Sequence, residues 1–132
     1  MKSPTALIAE DEPLLRAEIR AVLNTVWPEL AICAEAADGL QAIQGFDRFC
    51  PDIVFLDIQM PGANGLAVAE HASGRAHVVF VTAFDEYAVA AFERGAIDYI
   101  LKPPSVARMQ RTVERLKERL RQPPAELQGL VE

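Results

Sequence analysis

Cysteine is scarce: the chain holds only Cys33 and Cys50. One pair gives no disulfide framework, and reduced, mostly buried thiols in a cytoplasmic protein are the expectation. Long apolar runs are missing too. None approaches the roughly 20 residues that span a bilayer. The opening MKSPTALIAEDEP has only a short apolar-leaning stretch before three acids, too short for a secretory signal. Glycine (7) and proline (9) are near average, which excludes collagen-like and low-complexity chains. Positive charge is in deficit, with 13 Lys and Arg against 19 Asp and Glu, net −6. That argues against nucleic-acid binding by these residues themselves. What the chain does hold is hydrophobic residue, 51% against 24% charged over 132 positions. This is enough for one domain with a real core. The counts predict a soluble, cytoplasmic domain with no membrane partner.

Apolar segments alternate with amphipathic ones. Strands are predicted at Thr5–Ala9, Leu30–Ala34, Ile53–Leu56, His77–Val81 and Ile97–Leu101. The runs IVFL and VVFV do not alternate, as befits strands buried on both faces of a parallel sheet. Between the strands lie helical patterns. The first follows Pro13, carries Leu15, Ile19, Val22 and Val26, and ends by Pro28. Asp38 is the expected cap of the second, with Leu40, Ile43 and Phe46 on its apolar side. The third starts near Asn64 and stops by Gly74; the fourth is capped by Asp85 and closed by Gly95. Ser105 caps the fifth, which runs to Arg121. Five strand–helix units with short loops predict an α/β, flavodoxin-like, doubly wound sheet of order 2-1-3-4-5. Residues 1–121 would form it, and residues 122–132 a tail or the start of a linker.

In that order the functional crevice lies beyond the carboxyl ends of strands 1 and 3. Glu10, Asp11 and Glu12 follow strand 1, and Asp57 follows strand 3. Thr82 ends strand 4, and Lys102 with Pro103 ends strand 5. Each has an ordinary structural role taken singly, since acids favour first helical turns and DIQMPGANG is a turn composition. Jointly they gather carboxylates, a hydroxyl and an ammonium on one rim. Converging carboxylates repel unless a cation compensates them, and Mg²⁺ suits a site of few protein oxygens and several waters. The other notable residues have structural readings: Trp27 anchors a helix end, Cys33 is a strand residue, and His71 and His77 lack ligand-spaced partners.

LIAEDEP, IVFLDIQMPGANG and VFVTAFDEYAVAAFERGAIDYILKP, in this order, resemble a response-regulator receiver domain of two-component signalling. The likeness covers nearly all of residues 5–121. The TAFDEYAVAAFERGAIDYILKP block is most similar to LytR/AlgR-type regulators, whose output is a LytTR DNA-binding domain. The resemblance implies that Asp57 is the phosphoacceptor, Asp11 a direct Mg²⁺ ligand, and Glu10 a ligand through water. Gln59 would offer its backbone carbonyl to the metal. Thr82 would be the switch hydroxyl, Tyr99 the switch aromatic and Lys102 the phosphate-binding lysine. The Lys102–Pro103 bond would be cis. Two features depart from the pattern. Only 24 residues separate Asp57 from Thr82, shortening the stretch around HASGRAH, and Pro104 replaces a more usual apolar residue.

The implied partner is a sensor histidine kinase, and the protein would be a phosphoacceptor rather than an enzyme. Phosphorylation would draw Thr82 toward the phosphate, let Tyr99 rotate inward, and alter the face of the fourth helix, fifth strand and fifth helix. Positions 59 and 84 would flank the path of the attacking water. DNA would be met only through an output domain outside these residues; the alternative is a stand-alone receiver acting through protein contacts. A small Mg²⁺-dependent phosphatase of the haloacid dehalogenase kind needs an acid where Gln59 stands. A flavodoxin-like cofactor binder needs a phosphate loop where the three acids stand.

Residues 105–121 carry 6 basic and 2 acidic side chains, against 7 and 15 in residues 1–104. A fifth helix over Ser105–Arg121 would measure about 25 Å, longer than a strand of roughly 17 Å. Its last turn, with Leu120, is therefore expected to project. Its basic residues, facing Asp85, Glu86 and Glu93 of a second copy, predict a homodimer through the fourth helix, fifth strand and fifth helix.

Overall fold

A computed structural model describes residues 3–93 and 95–126. The expected tail is thus described to Glu126, and residues 127–132 lie outside the described residues. Strands and helices alternate: β1 (Thr5–Ala9), α1 (Pro13–Val26), β2 (Ala31–Ala36), α2 (Gly39–Phe49) and β3 (Ile53–Leu56). Then come α3 (Gly65–Ala72), β4 (His77–Thr82), α4 (Ala88–Glu93), β5 (Asp98–Leu101) and α5 (Val106–Arg119). All pairings are parallel, in the order β2-β1-β3-β4-β5, as the pattern predicts.

Every residue of β3 and β4 is buried, because helices cover both faces. Alternate side chains enter opposite cores. Leu7, Val54 and Phe80 pack with Phe46 and Val68 from α2 and α3. Ile8, Phe55 and Val79 pack with Ile19, Met109 and Leu116 from α1 and α5. Asp38, Asn64 and Ser105 each cap a helix, accepting from the N–H three residues on at 2.7, 3.0 and 3.0 Å. Trp27 closes α1, 3% exposed.

Several boundaries and exposures differ from the sequence reading. β2 starts at Ala31, because Leu30 still belongs to the turn, its N–H bonded to the Trp27 carbonyl at 3.1 Å. β5 begins at Asp98, one residue later than expected. α4 begins at Ala88, and Asp85 meets it through its backbone carbonyl at 3.2 Å. Leu40 and Val106 are exposed; each sits in a first turn, beyond the stripe that faces the sheet. α5 ends at Arg119, and Leu120 does not project: it is half-buried against the core under α1 and α5. The thiols are less buried than expected. Cys33 is half-buried, and Cys50 is exposed at φ 47 just past α2.

Candidate functional site

The carboxyl ends of β1, β3, β4 and β5 share one rim, and the sheet ladder holds its acids in place. Glu10 N–H donates to the Ala36 carbonyl and Asp57 N–H to the Ala9 carbonyl, both at 3.0 Å. Glu10, Asp11 and Asp57 each bring a carboxylate oxygen to within 4.8 Å of the others. Burial differs sharply among them: Glu10 is 0% and Asp57 6% exposed, while Asp11 opens to solvent. Lys102 reaches back from the end of β5, its Nζ 2.7 Å from Asp57 Oδ2 and paired with Glu10 Oε1.

Burial works against the Lys102 charge, but its hydrogen bonds to Asp57 and Glu10 outweigh it and hold its pKa above the ordinary lysine value. Burial raises the Glu10 pKa, against the pull of Lys102. One ammonium thus serves a cluster of three carboxyl groups. Asp57 Oδ1 is buried with no hydrogen-bond partner. A buried acceptor left unpaired is costly. An orphaned carboxylate oxygen beside two further acids is a donor set that fits a hard, oxygen-seeking divalent cation. Among the described residues, this is the His, Cys, Asp and Glu cluster with metal-ligand geometry.

The mouth of the site is a cleft of about 530 Å³ lined by Asp11, Asp57, Gln59, Met60, Pro61 and Phe84. Its floor depends on a close approach at Gly65, whose N–H donates to the Ile58 carbonyl at 2.7 Å. A Cβ there would lie 1.9 Å from the Asp57 carbonyl oxygen, so no other residue fits without moving the Asp57 backbone.

Thr82 is fully buried at the end of β4, its Oγ1 accepting from Phe84 N–H at 3.4 Å. Tyr99 is already inward and buried, its hydroxyl donating to the Phe84 carbonyl. Its pKa is pushed up to about 12 by burial and, secondarily, by Glu86 and Asp85. Residue 84 therefore joins the β4 hydroxyl to the β5 aromatic through its backbone. The Lys102–Pro103 bond is cis, as expected, and Pro104 is buried, filling the place of an apolar residue with another.

The structure thus brings together Glu10, Asp11, Asp57, Gln59 and Lys102, with Thr82 and Tyr99 joined to the cleft through Phe84. Two supporting residues went unseen in sequence. Gly65 was hidden in a turn where glycine needs no special reason. Arg16 donates to the Glu10 carbonyl at 2.7 Å and is itself held by Glu35 at 3.5 Å. The signal for Arg16 was a cation near a helix N-terminus, where the dipole disfavours it.

Comparison with known proteins agrees with this arrangement. Residues 6–114 match the response regulator receiver domain. An uncharacterized response regulatory protein of Vibrio cholerae is 48% identical over 120 residues, 89% of this chain and 46% of that protein. The transcriptional regulatory protein BtsR of Escherichia coli is 43% identical over 117 residues, 85% of this chain and 47% of that one. The chain therefore spans about half the length of the curated relatives it matches. Among solved structures, the response regulatory domain of mrkE from Klebsiella pneumoniae aligns with a TM-score of 0.81 at 32% identity, covering 89% of this chain and 98% of that one. The receiver domain of AraT from Geobacillus stearothermophilus gives 0.81 at 32%, covering 90% and 96%.

Proposed function

The chain belongs to the response regulator receiver domains, and on that premise we propose that it is a switch phosphorylated on Asp57 by a sensor histidine kinase. The observation that carries this reading is the buried, unpartnered Oδ1 of Asp57, beside Glu10, Asp11 and Lys102. One Asp57 oxygen attacks the phosphorus of a phosphohistidine. The O–P bond forms, the P–N bond breaks, and the imidazole leaves with the electron pair. Asp11 and Asp57, the Gln59 carbonyl, and Glu10 through water would hold Mg²⁺, which when bound supplies positive charge against the transferred group. Lys102, already on Asp57, takes a phosphoryl oxygen. Thr82 gives up its acceptor role toward Phe84 N–H and donates to another.

Because Tyr99 donates to the carbonyl of the same Phe84, displacement at Thr82 is felt on β5. The two arrangements then shift in population, and the surface of α4, β5 and α5 changes. The protein is on this account a phosphoacceptor that assists its own phosphotransfer and dephosphorylation, not a turnover enzyme, and it acts in the cytoplasm. No helix among the described residues is long and apolar enough to cross a membrane.

Residues 1–121 form the receiver, and the chain beyond Arg121 leads to an output. The BtsR relatives, named transcriptional regulators, support a transcriptional one, and the TAFDEYAVAAFERGAIDYILKP block favours a LytTR-type DNA-binding domain. The α4–β5–α5 face supports pairing of two copies. Val89, Phe92 and Leu101 are exposed there, with exposed Glu86 and Glu93 at the two ends of α4 and exposed Arg111 and Arg119 on α5. Incubation with a small phosphodonor and Mg²⁺, with intact mass measured afterwards, tests the reading. One phosphoryl group should be gained by the native chain and none by Asp57→Ala. Equal labelling of both would overturn it.

A further inference from the structure

The short turn before β4 and the chain after α5 are both unused by the chemistry above, and they meet. α3 stops at Ala72, Gly74 turns at φ 73, and β4 begins at His77. Gly74 N–H donates outside its own turn, to the carbonyl of Ala125 at 3.0 Å. A Cβ on Gly74 would lie 3.4 Å from Glu126 Cγ. His77, buried at 6% exposure, opens β4 directly after this turn. Ahead of Ala125 stand Pro123 and half-buried Pro124. α5 cannot run through them, so the chain bends after Leu120 and crosses beneath β4.

His77 is also fixed to the sheet. Its N–H donates to the Asp52 carbonyl at 2.9 Å, and the Asp52 carboxylate accepts from Thr5 N–H at 2.9 Å. The tie therefore belongs to the amino-terminal rim of β1, β3 and β4, opposite Asp57. Burial, and Arg119 secondarily, hold the imidazole below its ordinary pKa, against Gln122 and Asp52.

We propose that the turn of residues 73–77 is a docking seat for the chain's own residues 122–126. The seat fixes where the continuation leaves the domain: at the amino-terminal rim beside β4, not along the axis of α5. The short HASGRAH stretch, one of the two departures in the sequence, forms one half of the seat, and the segment with Pro123 and Pro124 forms the other. The route leads inward from the β5 edge, leaving the α4–β5–α5 face open to a second copy. Its use as the exit toward an output domain rests on the function proposed above; the seat itself does not.

Amide exchange and ¹⁵N relaxation of the whole 132-residue chain test this. Gly74 N–H should be protected at least about tenfold over its free rate, and Ala125 should show an order parameter near ~0.8 rather than below ~0.6. A Gly74 amide exchanging at its free rate, or an Ala125 as mobile as a loose terminus, overturns the seat. Either result in a chain that still takes a phosphoryl group sinks the seat alone. A protected Gly74 in a chain that takes none keeps the seat and sinks the functional reading.

Discussion

Phe84 is the residue that touches the cleft, the β4 hydroxyl and the β5 aromatic at once. Its backbone accepts from Tyr99 and donates to Thr82, while its side chain lines the cleft above Asp57 with Gln59. The two functions are separable, because a substitution changes only the side chain. Hydrolysis of an acyl phosphate needs a water held in line, and a phenyl ring offers it no hydrogen bond. Phe84→Glu should therefore shorten the half-life of phosphorylated protein by at least about tenfold, short of the roughly 10²–10⁴-fold of a fully positioned general base. Decay of the phosphorylated mass after removal of phosphodonor measures it; an equal or longer half-life contradicts the role. The family resemblance implies a place for position 84 beside the path of the attacking water. It could not show that the same residue's carbonyl holds Tyr99, because a backbone acceptor has no side-chain signature.

At the scale of elements, β5 and α5 are joined by a buried charge rather than by apolar contact alone. Asp98, fully buried, accepts from Arg108 at 2.8 and 2.5 Å and from Thr112 at 2.7 Å, with Arg115 at 3.3 Å. Burial opposes its charge, yet Arg108, Thr112 and the Tyr99 amide prevail and keep its carboxyl below the usual range. The native state therefore binds its proton more weakly than the unfolded chain. The stabilisation is full above the unfolded value near 3.8 and lost as pH falls through the lower folded one. Asp98→Asn should cost about 2–4 kcal/mol at pH 7, since it leaves Arg108 facing a neutral group. It should also flatten the acid limb of stability below the unfolded value near 3.8. Urea unfolding at several pH values checks both, and an unchanged acid limb would count against the network.

Nothing in the sequence announced this cluster. Arg108 and Arg115 read as part of the basic face offered to a second copy, because the strand that supplies their acid precedes the helix by a turn of unspecified path. Strand existence and order were legible, because IVFL and HVVFVT are buried on both sides and leave no alternation. The caps at Asp38 and Ser105 were legible because one short side chain and the next amides suffice. The start of α4 was not, since Asp85 contributes through its backbone. Nor was the fate of Leu120, which depends on the bend that the tail makes beneath β4.

For the whole molecule, the charge divided between the body and α5 is partly spent inside it, as Arg108 and Arg115 are engaged by Asp98. Arg119 lines a groove of about 430 Å³ between the end of α4 and α5 that includes Phe92, and Arg111 is exposed on the same helix. Exposed ion pairs contribute about 0–1 kcal/mol each, so pairing through this face should be weak until phosphorylation changes it. Sedimentation with and without a beryllofluoride mimic of the phosphoryl group should show a monomer that becomes a dimer. A monomer under both conditions at high protein concentration rules out the pairing and leaves the Asp57 chemistry standing.

That chemistry is read most directly at the position of the bond. Phosphorylate the chain with a small donor and Mg²⁺, reduce with borohydride, and map the peptides by mass spectrometry. Reduction of an aspartyl phosphate yields homoserine at the modified position. The account predicts homoserine at residue 57, dependent on Mg²⁺ and diminished by Lys102→Ala. Homoserine at Asp11, or none at position 57 in a chain that has gained a phosphoryl group, would contradict it.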